Sequence, residues 1–232
     1  MDECKPLWIL VGGRRRLGRA LAEDLGPDHR LALTSSGPWE GEAWASDHLH
    51  LRWDARDPAL SARMGEDLDR LVREQGPLES AVLVAGDFPA TPMGSWTEEQ
   101  LAGTWALNLS FPLLAVQALA PRLQEGACLQ ILLDTAIHKP LLQRLPYTAA
   151  KAGLGAMVGG LAKALAPRVR VVGHALGTVL PAEGHDPAAL ARKGLMGRVG
   201  TPADLARALR YAAASPYLTG EILTLDGGTR WV

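Results

Sequence analysis

Phenylalanine and cysteine are nearly missing from this 232-residue chain, with two of each, and aromatic residues make up only 5%. Two cysteines close one disulfide at most, which excludes a disulfide-built scaffold. Cys4 and Cys128 have no metal-ligand spacing, and His138, His174 and His185 have no metal-spaced partner, so no metal is expected. Cys128, in an apolar run, reads as a small buried hydrophobe. Neither sign of charge dominates: 24 Lys and Arg stand against 25 Asp and Glu. A net charge of −1 gives no global field for nucleic acid or an anionic membrane, and neither partner is expected. No apolar run approaches the roughly 20 residues of a membrane span. The opening "MDECKP" has no signal-peptide pattern, so the expected location is cytoplasmic.

What the chain does have is alternation. Hydrophobic residues make up 47%, enough for one sizeable core. Short apolar runs fall at Leu7–Val11, Arg30–Thr34, His48–Trp53, Ala81–Ala85, Leu129–Leu133, Val169–Val172 and Ile222–Leu225. Amphipathic or Ala/Leu-rich stretches lie between them, near 15–25, 58–75, 97–123, 147–166 and 202–213. This predicts an α/β fold: a Rossmann-like, doubly wound sheet of about seven parallel strands with helices on both faces. A single domain over 1–232 is expected, since no stretch reads as a linker. The irregular segment 177–200 follows the sixth run, where open α/β sheets bind ligands, and is a candidate substrate lid.

The stretch "WILVGGRRRLGRAL" ends the first run and opens the first helix. Gly12 and Gly13 permit a tight turn, and Gly18 lets the helix approach closely. The helix N-terminus brings free N–H groups and a positive dipole end to a phosphate. Folds of this kind that prefer NAD tend to carry an acid at the end of strand two. Here that end reads Leu33-Thr34-Ser35-Ser36, without a carboxylate. Hydroxyls from Ser35 and Ser36 and guanidinium groups from Arg14, Arg15 and Arg16 suit a 2′-phosphate, which points to NADP(H).

Tyr147 and Lys151 lie four apart in "YTAAK" and share a helix face. A free phenol has a pKa of about 10. A nearby ammonium is expected to lower it, making Tyr147 a proton donor as hydride reaches a substrate.

Together, the turn and the pair make the chain resemble the short-chain dehydrogenase/reductase family, from Leu7 to Gly228. The resemblance implies that Asp54 contacts adenine, that Asn108 in "WALNLS" organises a proton relay, and that Lys151 binds the nicotinamide ribose. It also implies cofactor contacts at Leu17, at Ala85 and Gly86 after strand four, and at Gly177 after strand six. "RVGTP" at 198–202 and "TGEILTLDGG" at 219–228 resemble the family's late helix entry and C-terminal strand and turn. The family's usual serine thirteen residues before the tyrosine is Asp134 here. Aspartate at that position, and arginine at Arg16 in "GGRRRLG", resemble the pteridine reductase and dihydromonapterin/dihydrofolate reductase branch. "FPATP" at 88–92 resembles that branch's loop, which implies that Phe88 stacks on a flat substrate facing nicotinamide. Arg16, Asp134 and Tyr147 complete the implied substrate contacts. The chain departs from the family at Val11, at Leu83-Val84-Ala85-Gly86 and at Leu176-Gly177, where threonine, two asparagines and a proline are usual.

Three functions therefore stand. The first is an NADPH-dependent reductase of a pterin-like C=N or C=O substrate. The second is a short-chain reductase of a carbonyl such as a 3-oxoacyl thioester. The third is a non-catalytic NADP(H) sensor or scaffold. The resemblance also implies a homo-oligomer, a tetramer, in which the Ala/Gly-rich stretch 149–166 packs between subunits. His138, His174 and His185 are expected in loops at the mouth of the site.

Overall fold

Leucine, valine and alanine fill the apolar runs, and β1 (Leu7–Val11) is buried at every position. Such strands need cover on both faces, which parallel strands with crossover helices provide. A computed structural model describes residues 5–181, 184 and 186–232; Cys4 and His185 lie outside the described residues. The other strands are β2 (Arg30–Ser35), β3 (Leu49–Arg52), β4 (Leu78–Leu83), β5 (Leu123–Asp134), β6 (Val169–Leu176) and β7 (Ile222–Leu225). They form one seven-stranded sheet in the order β3-β2-β1-β4-β5-β6-β7, with every pairing parallel. Strand order reverses between β1 and β4, which opens a crevice at their carboxyl ends.

Helices α1 (Arg16–Leu25), α2 (Leu60–Gln75), α3 (Glu98–Trp105), α4 (Phe111–Leu119), α5 (Leu145–Leu165), α6 (Pro187–Ala191) and α7 (Pro202–Ala214) follow. One core layer packs Leu21 and Leu25 of α1 with Leu205 and Leu209 of α7. The other joins Met64 and Leu68 of α2, Phe111 and Ala115 of α4, and Leu154 and Val158 of α5. Local chemistry sets the helix starts. Thr97 and Gln100 form a reciprocal capping box on α3, as Thr201 and Asp204 do on α7.

Several expected boundaries move. β4 starts three residues early because polar Ser80 is fully buried and satisfied, its hydroxyl donating to the Cys128 carbonyl at 2.8 Å. β5 starts at Leu123 rather than 129, and β6 runs on to Leu176. His174 therefore lies inside the sheet, not in a mouth loop. Its Nε2 meets Gln130 Oε1 at 2.9 Å, and burial lowers its pKa to about 4. The expected helix over 97–123 is broken by a π-helical turn at Ala106–Ser110 between α3 and α4. Within Glu98–Arg122, eighteen consecutive residues reach a mean hydropathy of 1.2, enough to cross a membrane by length and composition alone. Here the stretch lays Phe111, Ala115 and Leu119 into the core. Segment 177–200 holds α6 and is tied down near its ends. Gly200 N–H donates to the Thr178 carbonyl at 2.8 Å and Met196 N–H to the Gly227 carbonyl at 3.1 Å.

Gly18 carries the close approach of α1 to the turn. A Cβ there would lie 2.1 Å from the Gly12 carbonyl oxygen and 2.9 Å from Gly13 Cα, both backbone atoms that cannot swing away. Gly18→Ala is expected to cost about 3 kcal/mol or more in urea unfolding. A change under about 0.5 kcal/mol, the scatter of neutral surface substitutions, would show that the turn is not held this tightly.

Candidate active site

The crevice is floored by the glycine turn. Val84 and Ala85 both donate N–H to the Val11 carbonyl, at 2.9 and 2.7 Å, and bend the chain away as β4 ends. Gly12 has φ +99°, and a Cβ there would lie 2.6 Å from Ala85 N. Its N–H donates to Thr34 Oγ1 at 3.1 Å, so β2, β1 and β4 meet at this point. The first turn of α1 contains no acid, leaving its positive end un-neutralised. Gly12, Leu17, Gly18, Ser35, Ser36, Ala85, Gly86 and Gly177 all line one continuous cleft there. A backbone cradle that any Cβ would fill, beside a helix N-terminus, fits a dinucleotide pyrophosphate.

The three arginines of the turn line the same cleft but differ in what they touch. Arg15 is exposed. Arg16 has φ +46°, the left-handed region that a side chain adopts at a cost of about 1–2 kcal/mol. Its guanidinium reaches toward the carbonyls of Leu180 and Pro181, each at 3.4 Å. Arg14 is held by Glu42, with Nε donating to Oε1 at 3.0 Å. Asp54 is likewise engaged. Arg56 donates to it from Nε at 3.0 Å and from a terminal nitrogen at 2.8 Å, and these bonds hold its carboxyl down at about 2.

The opposite wall carries the ionisable groups. Pro146 opens α5 and sets Tyr147 and Lys151 one turn apart, both buried. Asp134 ends β5, and its Oδ1 accepts from Ala136 N–H at 2.7 Å. Tyr147 Oη donates to Asp134 Oδ2 at 3.0 Å. Lys151 Nζ donates to the Leu132 carbonyl at 3.1 Å and lies 5.9 Å from the Tyr147 ring centre. Asn108 sits in the π-helical turn, where Nδ2 donates to Asp87 Oδ1 at 2.6 Å and to the Thr104 carbonyl at 3.0 Å. Its Oδ1 is buried without a partner. A Cβ on Gly86 would lie 2.8 Å from that oxygen and 3.6 Å from Lys151 Nζ, so only glycine leaves this space open.

Burial dominates the titration of all three groups. It raises the Asp134 carboxyl, against the opposing hydrogen bonds from Ala136 and Tyr147. It lowers Lys151 to about 8, with Asp134 and then Asp87 opposing. It also raises Tyr147, assisted by the Asp134 carboxylate. The expectation that the lysine lowers the phenol is therefore corrected: desolvation and the adjacent carboxylate outweigh an ammonium turned toward a carbonyl. Tyr147 is held as the neutral phenol, the form that can give a proton.

Phe88 is 48% exposed at the mouth and meets the Tyr147 ring edge-on, with centroids 4.8 Å apart. The Arg144 guanidinium covers it at 3.9 Å and also donates to the Phe88 carbonyl. Asp87, Arg144 and Glu42 were not among the residues singled out by sequence. The first two had a weak signal, one beside Phe88 and the other one turn before Tyr147. Glu42 had none. Among the described residues, no three His, Cys, Asp or Glu side chains converge as for a metal.

Residues 42–230 match the family described as enoyl-(acyl carrier protein) reductase. Carbonyl reductase family member 4 of Danio rerio is 29% identical over 231 residues, spanning 96% of this chain and 97% of its own. The 3-oxoacyl-[acyl-carrier-protein] reductase of Rattus norvegicus is 27% identical over 233 residues, spanning 94% and 95%. A solved short-chain dehydrogenase/reductase from Serratia marcescens BCRC 10948 aligns with TM-score 0.87 at 24% identity, covering 99% of this chain and 100% of that one. A dehydrogenase/reductase from Sinorhizobium meliloti 1021 aligns with TM-score 0.86 at 26% identity, covering 97% and 94%. The chain belongs to the short-chain dehydrogenase/reductase family, oxidoreductases that use nicotinamide dinucleotides.

Two outcomes follow from the site's strain and burial. Arg16→Gly relieves the left-handed backbone and is expected to stabilise the cofactor-free fold by about 1 kcal/mol in urea unfolding; a loss of stability would show that its carbonyl contacts outweigh the strain. For Lys151, the folded value of about 8 lies below the ordinary 10.5, so the unfolded chain binds more protons between them and stability rises with pH. From pH 8 to 10, wild type is expected to gain about 2 kcal/mol over Lys151→Met. Parallel pH profiles for the two proteins would show that Lys151 is not desolvated.

Proposed function

We propose that this chain is an NADPH-dependent reductase of a flat C=N or C=O substrate of the pterin type. The observation that carries the reading is the buried hydrogen bond from Tyr147 to Asp134, at 3.0 Å, in which burial raises both groups and the carboxylate helps hold Tyr147 as the neutral phenol. Gly12, Leu17, Gly18, Arg15 and Arg16 would hold the cofactor's pyrophosphate. Arg14, Ser35 and Ser36 would take the 2′-phosphate. The Asp54 segment would lie beside adenine, and Ala85, Gly86, Gly177 and Lys151 would border the nicotinamide half. When bound, the reduced nicotinamide supplies the hydride.

Within the chain's own groups, Tyr147 Oη delivers the proton and Asp134 shares it through the same hydrogen bond. A hydroxyl at position 134 would carry no exchangeable charge; a carboxyl can orient a ring nitrogen or return a proton to the phenol. Lys151 and Asn108 line the path by which that proton is restored. Phe88 offers the uncovered part of its ring to a planar substrate. Segment 177–200, touched by Arg16, closes the mouth, and the α5 stretch 149–166 packs against other copies in a tetramer of single-domain subunits.

A carbonyl substrate such as a 3-oxoacyl thioester is the second reading, favoured by the likeness to the Danio rerio carbonyl reductase and the Rattus norvegicus 3-oxoacyl-[acyl-carrier-protein] reductase. A panel of dihydropterins, dihydrofolate and 3-oxoacyl thioesters, followed by NADPH absorbance with NADH as control, separates the two. Tyr147→Phe is expected to cut turnover on the accepted substrate by about a hundredfold or more while leaving NADPH binding within about twofold. Turnover retained by that variant would remove Tyr147 as the acid.

A further inference from the structure

The loop after β2 places a carboxylate against the arginine assigned to the 2′-phosphate. Arg14 is only 16% exposed in its side chain, and Nε and a terminal nitrogen both lie 3.0 Å from Glu42 Oε1. The other carboxylate oxygen, Oε2, accepts from Trp44 Nε1 at 2.7 Å. Trp44 is itself fixed: the Arg19 guanidinium lies 5.1 Å over its ring, and Trp39 packs beside it with centroids 6.4 Å apart. Glu42 is thus anchored from two sides. Arg14 turns its remaining terminal nitrogen toward the end of β2, where a Cβ on Gly37 would lie 2.6 Å from it. Ser35 Oγ is 4.0 Å from the same point. The guanidinium therefore already stands where a dinucleotide fold receives the ribose 2′ substituent, and its charge is already neutralised.

We infer that Glu42 is an internal competitor for the cofactor's 2′-phosphate, an anchored carboxylate that occupies Arg14 and so sets the discrimination between NADPH and NADH. This rests on the NADPH reading above. A 2′-phosphate and a carboxylate are both anions seeking the same fork of N–H donors. When the phosphate arrives, Arg14 must share or exchange partners, and the fixed Glu42 charge repels the newcomer at short range. A ribose 2′-hydroxyl feels no such repulsion. The residue therefore acts selectively on ligands that carry the 2′-phosphate.

The test is binding, so it needs no substrate. Dissociation constants for NADPH, NADH, 2′,5′-ADP and AMP are measured on wild type, Glu42→Gln and Trp44→Phe. Glu42→Gln keeps the shape and removes the charge. It is expected to tighten NADPH and 2′,5′-ADP by about tenfold and to leave NADH and AMP within about twofold. Trp44→Phe, which frees one carboxylate oxygen, is expected to tighten the same two ligands by less. Unchanged or weaker NADPH binding in Glu42→Gln overturns the inference, and so does equal tightening of NADPH and NADH. Wild type that binds NADPH and NADH alike would overturn the cofactor preference but not this inference, because the gain in Glu42→Gln is read on the 2′-phosphate ligands alone.

Discussion

The reversal of strand order between β1 and β4 positions every group in the cleft. Strands to one side of that line wind one way and strands to the other side wind the opposite way, so no crossover helix covers the gap at their carboxyl ends. At the floor of the gap the Val11 carbonyl accepts from two successive residues of the departing β4 chain. That double acceptance brings Ala85 so close to Gly12 that only glycine fits. On one side the gap receives the N-terminus of α1, with its free donors. On the other, the ends of β4 and β5 deliver Asp87 and Asp134, and the first turns of α5 deliver Tyr147 and Lys151.

Against that frame, the site is where local rules are broken. A non-glycine residue stands in the left-handed region at Arg16. An amide oxygen of Asn108 is buried without a partner. A carboxyl, a phenol and an amine share a desolvated wall, and each is shifted mainly by burial. The scaffold around it carries capping boxes on α3 and α7 and fully buried strands in β1 and β6, with a few unpartnered polar atoms such as His174 Nδ1 and Arg210 Nε. A strained backbone and three desolvated ionisable groups sharing one cleft are the pattern of a site held for chemistry at some expense of stability.

The layers of the fold and the line of the cleft were legible in the sequence because they depend on periodicity and on glycines at fixed offsets. Strand edges were less so. Ser80 falls just outside the expected run and His174 reads as a mouth residue, since their polarity hides the hydrogen bonds to Cys128 and Gln130 that let them lie within the sheet. The π-helical turn that presents Asn108 has no signature in an Ala/Leu-rich run. The direction of the Tyr147 shift was missed for a related reason. Spacing alone puts an ammonium on the same helix face, but the depth of burial and the aim of Lys151 at Leu132 are set by β5, a partner far along the chain.

Charge shows the same dependence on tertiary contact. The chain is nearly neutral, and composition alone gives no hint of a charged site. In three dimensions the arginines that line the cleft differ in their partners. Arg14, Arg56 and Arg198 are each paired with a carboxylate of the chain, Glu42, Asp54 and Asp204. Arg16 and Arg144, among the described residues, hydrogen-bond only backbone carbonyls, and Arg144 also covers the Phe88 ring. A carbonyl leaves a guanidinium's net charge in place, whereas a carboxylate cancels it. Arg16 at the glycine turn and Arg144 at the substrate mouth therefore keep their positive charge for an incoming ligand, while Arg14, aimed from that turn toward the end of β2, meets its ligand already paired with Glu42.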